Sequence, residues 1–495
     1  MSSQNFSVNY GDLVRGIEGI VKVPYYYVLG SVKDSVIVLA VTEGERALIA
    51  LKGDRPETLT KGLIHAVVRR QNQEMIPIIK DVEKGREVHA VYAVNLNGEE
   101  FEASPPKGRI MSLAYDGKDK IAYTVSTKGS SSLYLIEGGK ERKLADVSPF
   151  LAVTDVGDDY VVGFEGFTGG MKVSNLVIVS MSGEVKRVTP KEGSVNLGPK
   201  IYGGKIYFTS DYEYSGEREW VYTYSLKDGK VERVSFPHKD LESFEPIELS
   251  YNPETGLAIA GKEGETKLFL EGKLIETPPG TIMGATAVNG VIYFSHSSLV
   301  STPKVYRIKG DSLEVVMGNR DPIKGKVEYV KVRNGDVEVP TFVITPENPR
   351  KVGVVYVHGG PWAAVRNGWD FIIASLLFLG FVVIAPNFRG STGYGYKYML
   401  MDVGDPGGGD LSDVVKVRDY VVEKGVVDKV GIMGYSYGGY MTLLAVGKEP
   451  DKWEFGVAGA PVTDWVEMYN LSDNFFRGFI DVLFNGHNEG LMRER

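Results

Sequence analysis

The sequence predicts a two-part chain, a β-propeller followed by a doubly wound, mostly parallel α/β sheet. Three observations point there. Short β-like segments recur at the spacing of four-stranded blades from about Pro24 to about Asn319. From about Val327 onward, strand and helix patterns alternate. Within that second region "GIMGYSYGGYMTLLAV", Gly431–Val446, sets one serine between an apolar strand run and a helical stripe.

In the first region the segments "KDKIAYTVS", "DDYVVGFEG", "GGKIYFTSD" and "NGVIYFSHS" each follow a Gly, Asp or Asn turn. Ile121, Val161 and Ile206 are 40 and 45 residues apart, within the roughly 40 to 50 residues of a propeller blade. Ile206 to Ile292 is 86 residues, two blades, with Leu257 to Ala260 belonging to the one between. After most of these segments comes a hairpin pattern such as "SSLYLIEGGKERKL" or "WVYTYSLKDGKVERV". A β-sandwich array is the alternative architecture, and the repeat period favours the propeller.

Composition bounds the function. A chain of 495 residues with 43% hydrophobic content is long enough for two or more cores. Its net charge of −8 is spread along the sequence without a basic tract, which argues against nucleic acid as a partner. There is no cysteine, so disulfides and thiolate metal sites are excluded, as suits a reducing cytoplasm. Asp12, Arg15 and Glu18 interrupt the apolar core a secretory signal would need. The longest apolar run, Phe371 to Pro386, is too short and too broken by Gly380 to span a bilayer, and reads as a helix followed by a buried strand. No membrane partner is expected, and a homo-oligomer is compatible with the composition.

The second region carries the buried-strand runs "GVVYVHGG", "FVVIAP", "KVGIMG" and "FGVAGA", with a helix pattern over Asp410 to Lys424. Leu13, Ile17 and Ile20 form a stripe near the N-terminus that predicts a helix packed back onto this domain. The expected division is residues 1–23 as that helix, 24–324 as propeller and 325–495 as the α/β domain.

Gly434, Ser436 and Gly438 match the G-x-S-x-G nucleophile elbow of α/β-hydrolases, whose glycines keep a strained strand-to-helix turn free of side chains. "VYVHGGPWA", Val355 to Ala363, follows an earlier strand as the His-Gly-Gly turn of that fold does. The oxyanion donors are therefore expected to be the backbone N–H groups of Gly360 and Tyr437, with Gly359 the neighbour most easily confused with Gly360. His358 precedes the serine, contrary to the Ser, Asp, His order of this fold, and is expected to be structural.

The motifs "HGGPW", "NFRGSTGYG", "DPGGGDLSDV", "GYSYGGYMT" and "AGAPVTDW", in this order behind a repeated β region, resemble the prolyl oligopeptidase family of serine peptidases, most closely the archaeal acylaminoacyl-peptidases. The resemblance implies a seven-bladed propeller over the active site and the N-terminal helix joined to the hydrolase domain. It also implies cleavage of short peptides, notably removal of an N-acylated first residue, without metal or organic cofactor. A dipeptidyl-peptidase or esterase of the same fold is an alternative. The dipeptidyl branch anchors a free amino terminus with a glutamate pair, for which Glu213, Glu217 and Glu219 are the nearest residues here, read as an exposed charged loop. Arg389 reads as a tie between loops rather than a substrate contact.

A serine needs a base and an acid. In this fold both follow later strands, yet only 59 residues come after Ser436. Asp464, Asp473, Asp481 and His487 are the acids and the histidine that remain, in a stretch reading as helices and a loop, with His487 only six residues after Asp481. The triad Asp and His are thus expected to be absent from this chain, in a segment beyond residue 495, and the chain by itself to be inactive. Against a peptidase stands a non-catalytic propeller protein that binds peptides and retains a vestigial elbow.

Overall fold

The computed structural model describes residues 10–83, 86–127, 129–166 and 174–495. Residues 1–9 of the predicted N-terminal segment lie outside the described residues.

Between Tyr25 and Gly318 the chain forms consecutive antiparallel sheets. Five are four-stranded, and one is seven-stranded because a single strand of 16 residues, Glu100–Tyr115, pairs first with His89–Asn95 and then with Lys120–Ser126. The change of partner falls between Gly108, which pairs with His89, and Arg109, which pairs with Ser126, and Pro105 and Pro106, which have no N–H to extend a ladder, lie in the interruption of the first ladder between Ser104 and Gly108. The recurring segments of the sequence are the strands that precede each outer hairpin: Ile121, Val161, Ile206, Leu257 and Ile292 all lie in them. The array closes on itself. Val28 N–H donates to Ser295 Oγ at 3.1 Å, and a Cβ on Gly284, whose φ is +159°, would lie 2.1 Å from Val28 O. First and last sheets thus meet more closely than side chains would allow.

The second region is one six-stranded sheet. Its strands are β1 (Gly325–Asn334), β2 (Val337–Pro346), β3 (Val352–Val357), β4 (Val382–Pro386), β5 (Lys429–Tyr435) and β6 (Gly456–Gly459), in the order β1-β2-β4-β3-β5-β6. β1 and β2 form an antiparallel hairpin, which the alternating pattern did not predict, and β3 to β6 are parallel. Alternate residues of one strand serve opposite cores: Val382 and Ile384 join one cluster, Val383 and Ala385 the other. On the first face lie α3 (Gly409–Glu423) and α4 (Tyr437–Lys448), whose Val414, Val417, Met441 and Ala445 enter that cluster. On the other lie α2 (Phe371–Phe378) and the N-terminal α1 (Tyr10–Val21). Ile20, 1% exposed, joins Phe342, Ile344 and Leu377 there, and Gly16 faces the ring of Phe378. Ile20 of α1 therefore packs on this face of the α/β sheet, while Leu13 and Ile17 of the same stripe are half-buried.

The ring caps one end of this sheet. Asn367, from the loop after β3, donates to Glu265 at 2.7 Å and accepts from Thr281 at 2.9 Å. Arg366 of the same loop pairs with Glu248. Tyr396, beyond β4, donates its N–H to Gly216 O at 2.8 Å, and Asp473, beyond β6, lies 3.5 Å from Arg109. All four follow the carboxyl ends of parallel strands, where α/β sheets hold their sites. Ser436 follows the carboxyl end of β5, on that same edge.

Candidate active site

Ser436 stands between β5 and α4 with φ +56° and ψ −118°, a conformation that side chains rarely adopt. The turn is too crowded for anything but glycine on either side. A Cβ at Gly434 would lie 2.2 Å from Gly438 O, and one at Gly438 would lie 2.0 Å from Val357 O. The two elbow glycines thus let β5, the start of α4 and the end of β3 approach one another, holding the partly exposed serine at the sheet edge. Ser436 N–H is itself tied to Gly459 O at 2.9 Å.

The His-Gly-Gly turn comes to the same place. A Cβ on Gly359 would lie 3.1 Å from Tyr435 O and 3.6 Å from Ser436 Cβ, so the turn rests against the elbow. Gly360 has φ +117°, and a side chain there would press on Trp362 N at 2.7 Å. Tyr437 is the first residue of α4, so its N–H has no carbonyl one turn earlier within the helix. His358 is buried against Phe388, with ring centroids 4.3 Å apart. Its Nδ1 lies 2.7 Å from Gly359 O and its Nε2 2.8 Å from Ser391 Oγ. Burial pushes its imidazole down to about 4. One ring nitrogen is occupied by the turn itself and the other by Ser391 of the loop after β4, in keeping with the structural role read from chain order.

The remaining sequence candidates are not brought to the serine. Asp464 caps α5 (Trp465–Leu471) by accepting from Glu467 N–H, and Asp473 caps α6 (Asn474–Leu483) by accepting from Phe476 N–H. Asp481 and His487 do meet, at 3.5 Å, but on an open surface beside Tyr469. Among the described residues no histidine or carboxylate hydrogen-bonds the Ser436 hydroxyl. Arg389 is a loop tie: its Nε and Nη2 grip the two oxygens of the fully buried Asp413 at 2.9 and 2.7 Å.

The glutamate cluster differs from its sequence reading. Glu213 pairs with Arg233 and Glu217 with Lys397, in keeping with a charged surface. Glu219 is instead buried where ring and α/β domain meet, accepting from Leu249 N–H at 2.8 Å with the Tyr396 hydroxyl 3.4 Å away. Burial, with Glu248 nearby, pushes its carboxyl up to about 8. The alternation around "GEREW" carries no sign of this, because the cover over Glu219 comes from residues 177 positions away.

Two acids beneath the site escaped sequence reasoning. Asp410, fully buried, accepts from the Tyr437 hydroxyl, and Asp402, 1% exposed, accepts from Trp362 Nε1 at 3.1 Å. Each thus anchors one of the two segments that flank Ser436. Burial pushes Asp410 up to about 6, and burial together with the Asp410 charge pushes Asp402 up to about 8. The only signal in the sequence was the acid at each end of "DVGDPGGGD".

With this geometry in place, known proteins can be compared. Residues 37–306 match the family described as acylamino-acid-releasing enzyme-like, N-terminal domain, and residues 369–493 match the prolyl oligopeptidase family. The chain is 28% identical over 233 residues to an acylamino-acid-releasing enzyme of Rattus norvegicus, covering 44% of this chain and 31% of that protein. It is 40% identical over 106 residues to dipeptidyl aminopeptidase BIII of Pseudoxanthomonas mexicana, covering 21% of this chain and 15% of that protein. These matches span less than a third of the length of either relative. Among solved structures, Pyrococcus horikoshii acylaminoacyl peptidase superposes with a TM-score of 0.68 at 16% identity, covering 97% of this chain and 84% of that one. A puromycin hydrolase gives 0.73 at 16% identity, with 97% and 84% covered. The chain therefore belongs to the prolyl oligopeptidase family of serine peptidases, with an N-terminal domain of the acylamino-acid-releasing-enzyme type.

Proposed function

We propose that the whole protein is a serine peptidase that cleaves short peptides and releases N-acylated amino acids from blocked N-termini through an acyl-enzyme on Ser436. The observation that carries this reading is the seating of the His-Gly-Gly turn against the elbow, where even a Cβ on Gly359 would touch Ser436. In this reading Ser436 Oγ attacks the carbonyl carbon of the scissile bond, and the N–H groups of Gly360 and Tyr437 hold the oxygen as it becomes negative. The leaving amine departs, and water then releases the acyl group. The chemistry calls on no metal or organic cofactor.

The ring is read as a seven-bladed propeller over residues 24–324, with Glu100–Tyr115 shared between two blades, capping a hydrolase domain of residues 325–495 on which α1 packs. An acylated rather than a free amino terminus is supported by the glutamates: Glu213 and Glu217 are held by Arg233 and Lys397, and Glu219 is buried. The compartment is read as the cytoplasm, on the absence of cysteine.

The whole protein, with Ser436 intact, should be labelled by a fluorophosphonate and should release the acylated residue from an N-acetylated tripeptide, whereas Ser436→Ala should do neither. Faster turnover of a dipeptidyl substrate with a free amine would favour the dipeptidyl alternative. Peptide binding without labelling or turnover would favour the non-catalytic one.

A further inference from the structure

Residues 67–73 form a loop that no sequence pattern marked. Its contacts are spread around the ring. Gln71 O accepts from Lys33 N–H at 2.6 Å, and Gln71 Nε2 donates to Ala287 O at 2.7 Å. Arg69 Nη2 reaches Asp155 Oδ2 at 2.7 Å, and Arg70 Nη2 reaches Ile201 O at 3.2 Å. Gln71 N–H points to Glu254 Oε1 at 3.4 Å. Each partner lies at, or within two residues of, the end of a different sheet's first strand: Tyr25–Val32, Leu151–Val156, Asn196–Tyr202, Glu248–Asn252 and Thr281–Val288. One short loop can touch the first-strand ends of so many sheets in a closed ring only by lying across its axis.

The opposite ends of those strands face the hydrolase domain. Glu248 and Thr281, which begin their strands, are the residues that meet Arg366 and Asn367. The loop therefore lies at the mouth away from Ser436. Its anchor is Asp155, which is fully buried and accepts from Arg69, Arg70 and the N–H of Ile201, the last at 2.7 Å. The seam between the two parts holds a cavity of about 600 Å³ bordered by Lys262 and Lys267 of the ring and by Tyr329 and Asn367 of the hydrolase domain.

We propose that residues 67–73 are a plug, clamped by Asp155 through Arg69 and Arg70, that closes the far mouth of the ring's central channel so that peptides reach Ser436 only from the seam. The clamp is then a determinant of substrate size. The proposal rests on the peptidase reading for its consequence, but the plug itself is testable without catalysis.

The chain has no cysteine, so a single one reports without background. Ser250 is exposed on Glu248–Asn252, a first strand whose end meets the plug. In Ser250→Cys, N-ethylmaleimide should react readily and a large poly(ethylene glycol) maleimide slowly. Adding Asp155→Ala should raise the rate of the large reagent by about tenfold or more, the change in an opening equilibrium that one charge-assisted hydrogen bond controls, and leave the small reagent's rate unchanged. Should Asp155→Ala fail to fold, replacement of residues 68–72 by Gly and Ser together with Asp155→Asn removes the plug and both sides of the clamp, and so strands no buried charge. An unchanged ratio of the two rates in a folded plug variant, or a parent in which both reagents react equally fast, would overturn the proposal. Neither rate depends on Ser436, so failure of the peptidase reading gives a different signature, namely an intact plug with no turnover.

Discussion

Tyr437 donates a hydrogen bond from its phenolic hydroxyl to Asp410, so the residue that follows Ser436 is held from beneath by a fully buried carboxyl. Tyr437→Phe removes the side-chain donor and leaves that carboxyl only the backbone N–H groups of Gly407 and Leu411. It should destabilise the protein by about 1 to 3 kcal/mol, and its effect should be strongly non-additive with Asp410→Ala. Denaturant unfolding of the two single variants and the double variant checks this; simple additivity would show that the contact carries no coupling.

Ser436 holds a positive φ that costs a side chain of the order of 1 to 3 kcal/mol. Ser436→Gly should therefore be more stable than Ser436→Ala by about 1 kcal/mol while both abolish labelling. Thermal melts of the pair decide it, and equal stability would mean that the turn stores no strain.

The elbow glycines should be far less tolerant than a neighbour in the same helix. Gly434→Ala and Gly438→Ala drive a methyl group into backbone oxygens and should each cost about 3 kcal/mol or more. Gly447→Ala, where nothing lies within 4 Å, should gain roughly 0.5 to 1 kcal/mol from helix propensity. Opposite signs in urea unfolding are the expected result.

The buried acids give a pH dependence of definite sign. Asp402 and Glu219 are pushed up to about 8 in the folded chain, so between their unfolded values near 4 and about pH 8 the native state holds more protons than the unfolded one. Their contribution therefore makes stability fall as pH rises through that window and level off above it. Asp402→Asn should flatten the slope of melting temperature against pH; an unchanged slope would rule out Asp402 as a source.

Among the described residues no histidine or carboxylate hydrogen-bonds the Ser436 hydroxyl, and on the proposed reading the 495-residue chain on its own should show turnover roughly 10⁶-fold below that of a complete triad. Rapid fluorophosphonate labelling of this chain would point to a base within it, and His487 would be the first to replace by Ala. Val457 of β6, the outermost strand among the described residues, is 46% exposed and Leu443 of α4 41% exposed, and Val457→Lys should improve solubility as read by light scattering.

What was legible in the sequence is what neighbours along the chain decide. Gly434, Ser436 and Gly438 announce a turn because backbone crowding there is a matter of a few residues, and Ile121, Val161 and Ile206 announce repeated strands because a strand's alternation is local. Leu13, Ile17 and Ile20 announce an amphipathic helix for the same reason. Burial of a polar group is not local. Glu219 reads like any charged loop residue until Tyr396 closes over it, Asp402 and Asp410 until Trp362 arrives from the loop after β3 and Tyr437 from α4, and Asp155 until residues 67–73 cross the ring. The sequence alone determined the repeat, the alternation and the elbow; only the tertiary structure decided which carboxyls lose their water, because desolvation is set by what packs from elsewhere in the chain.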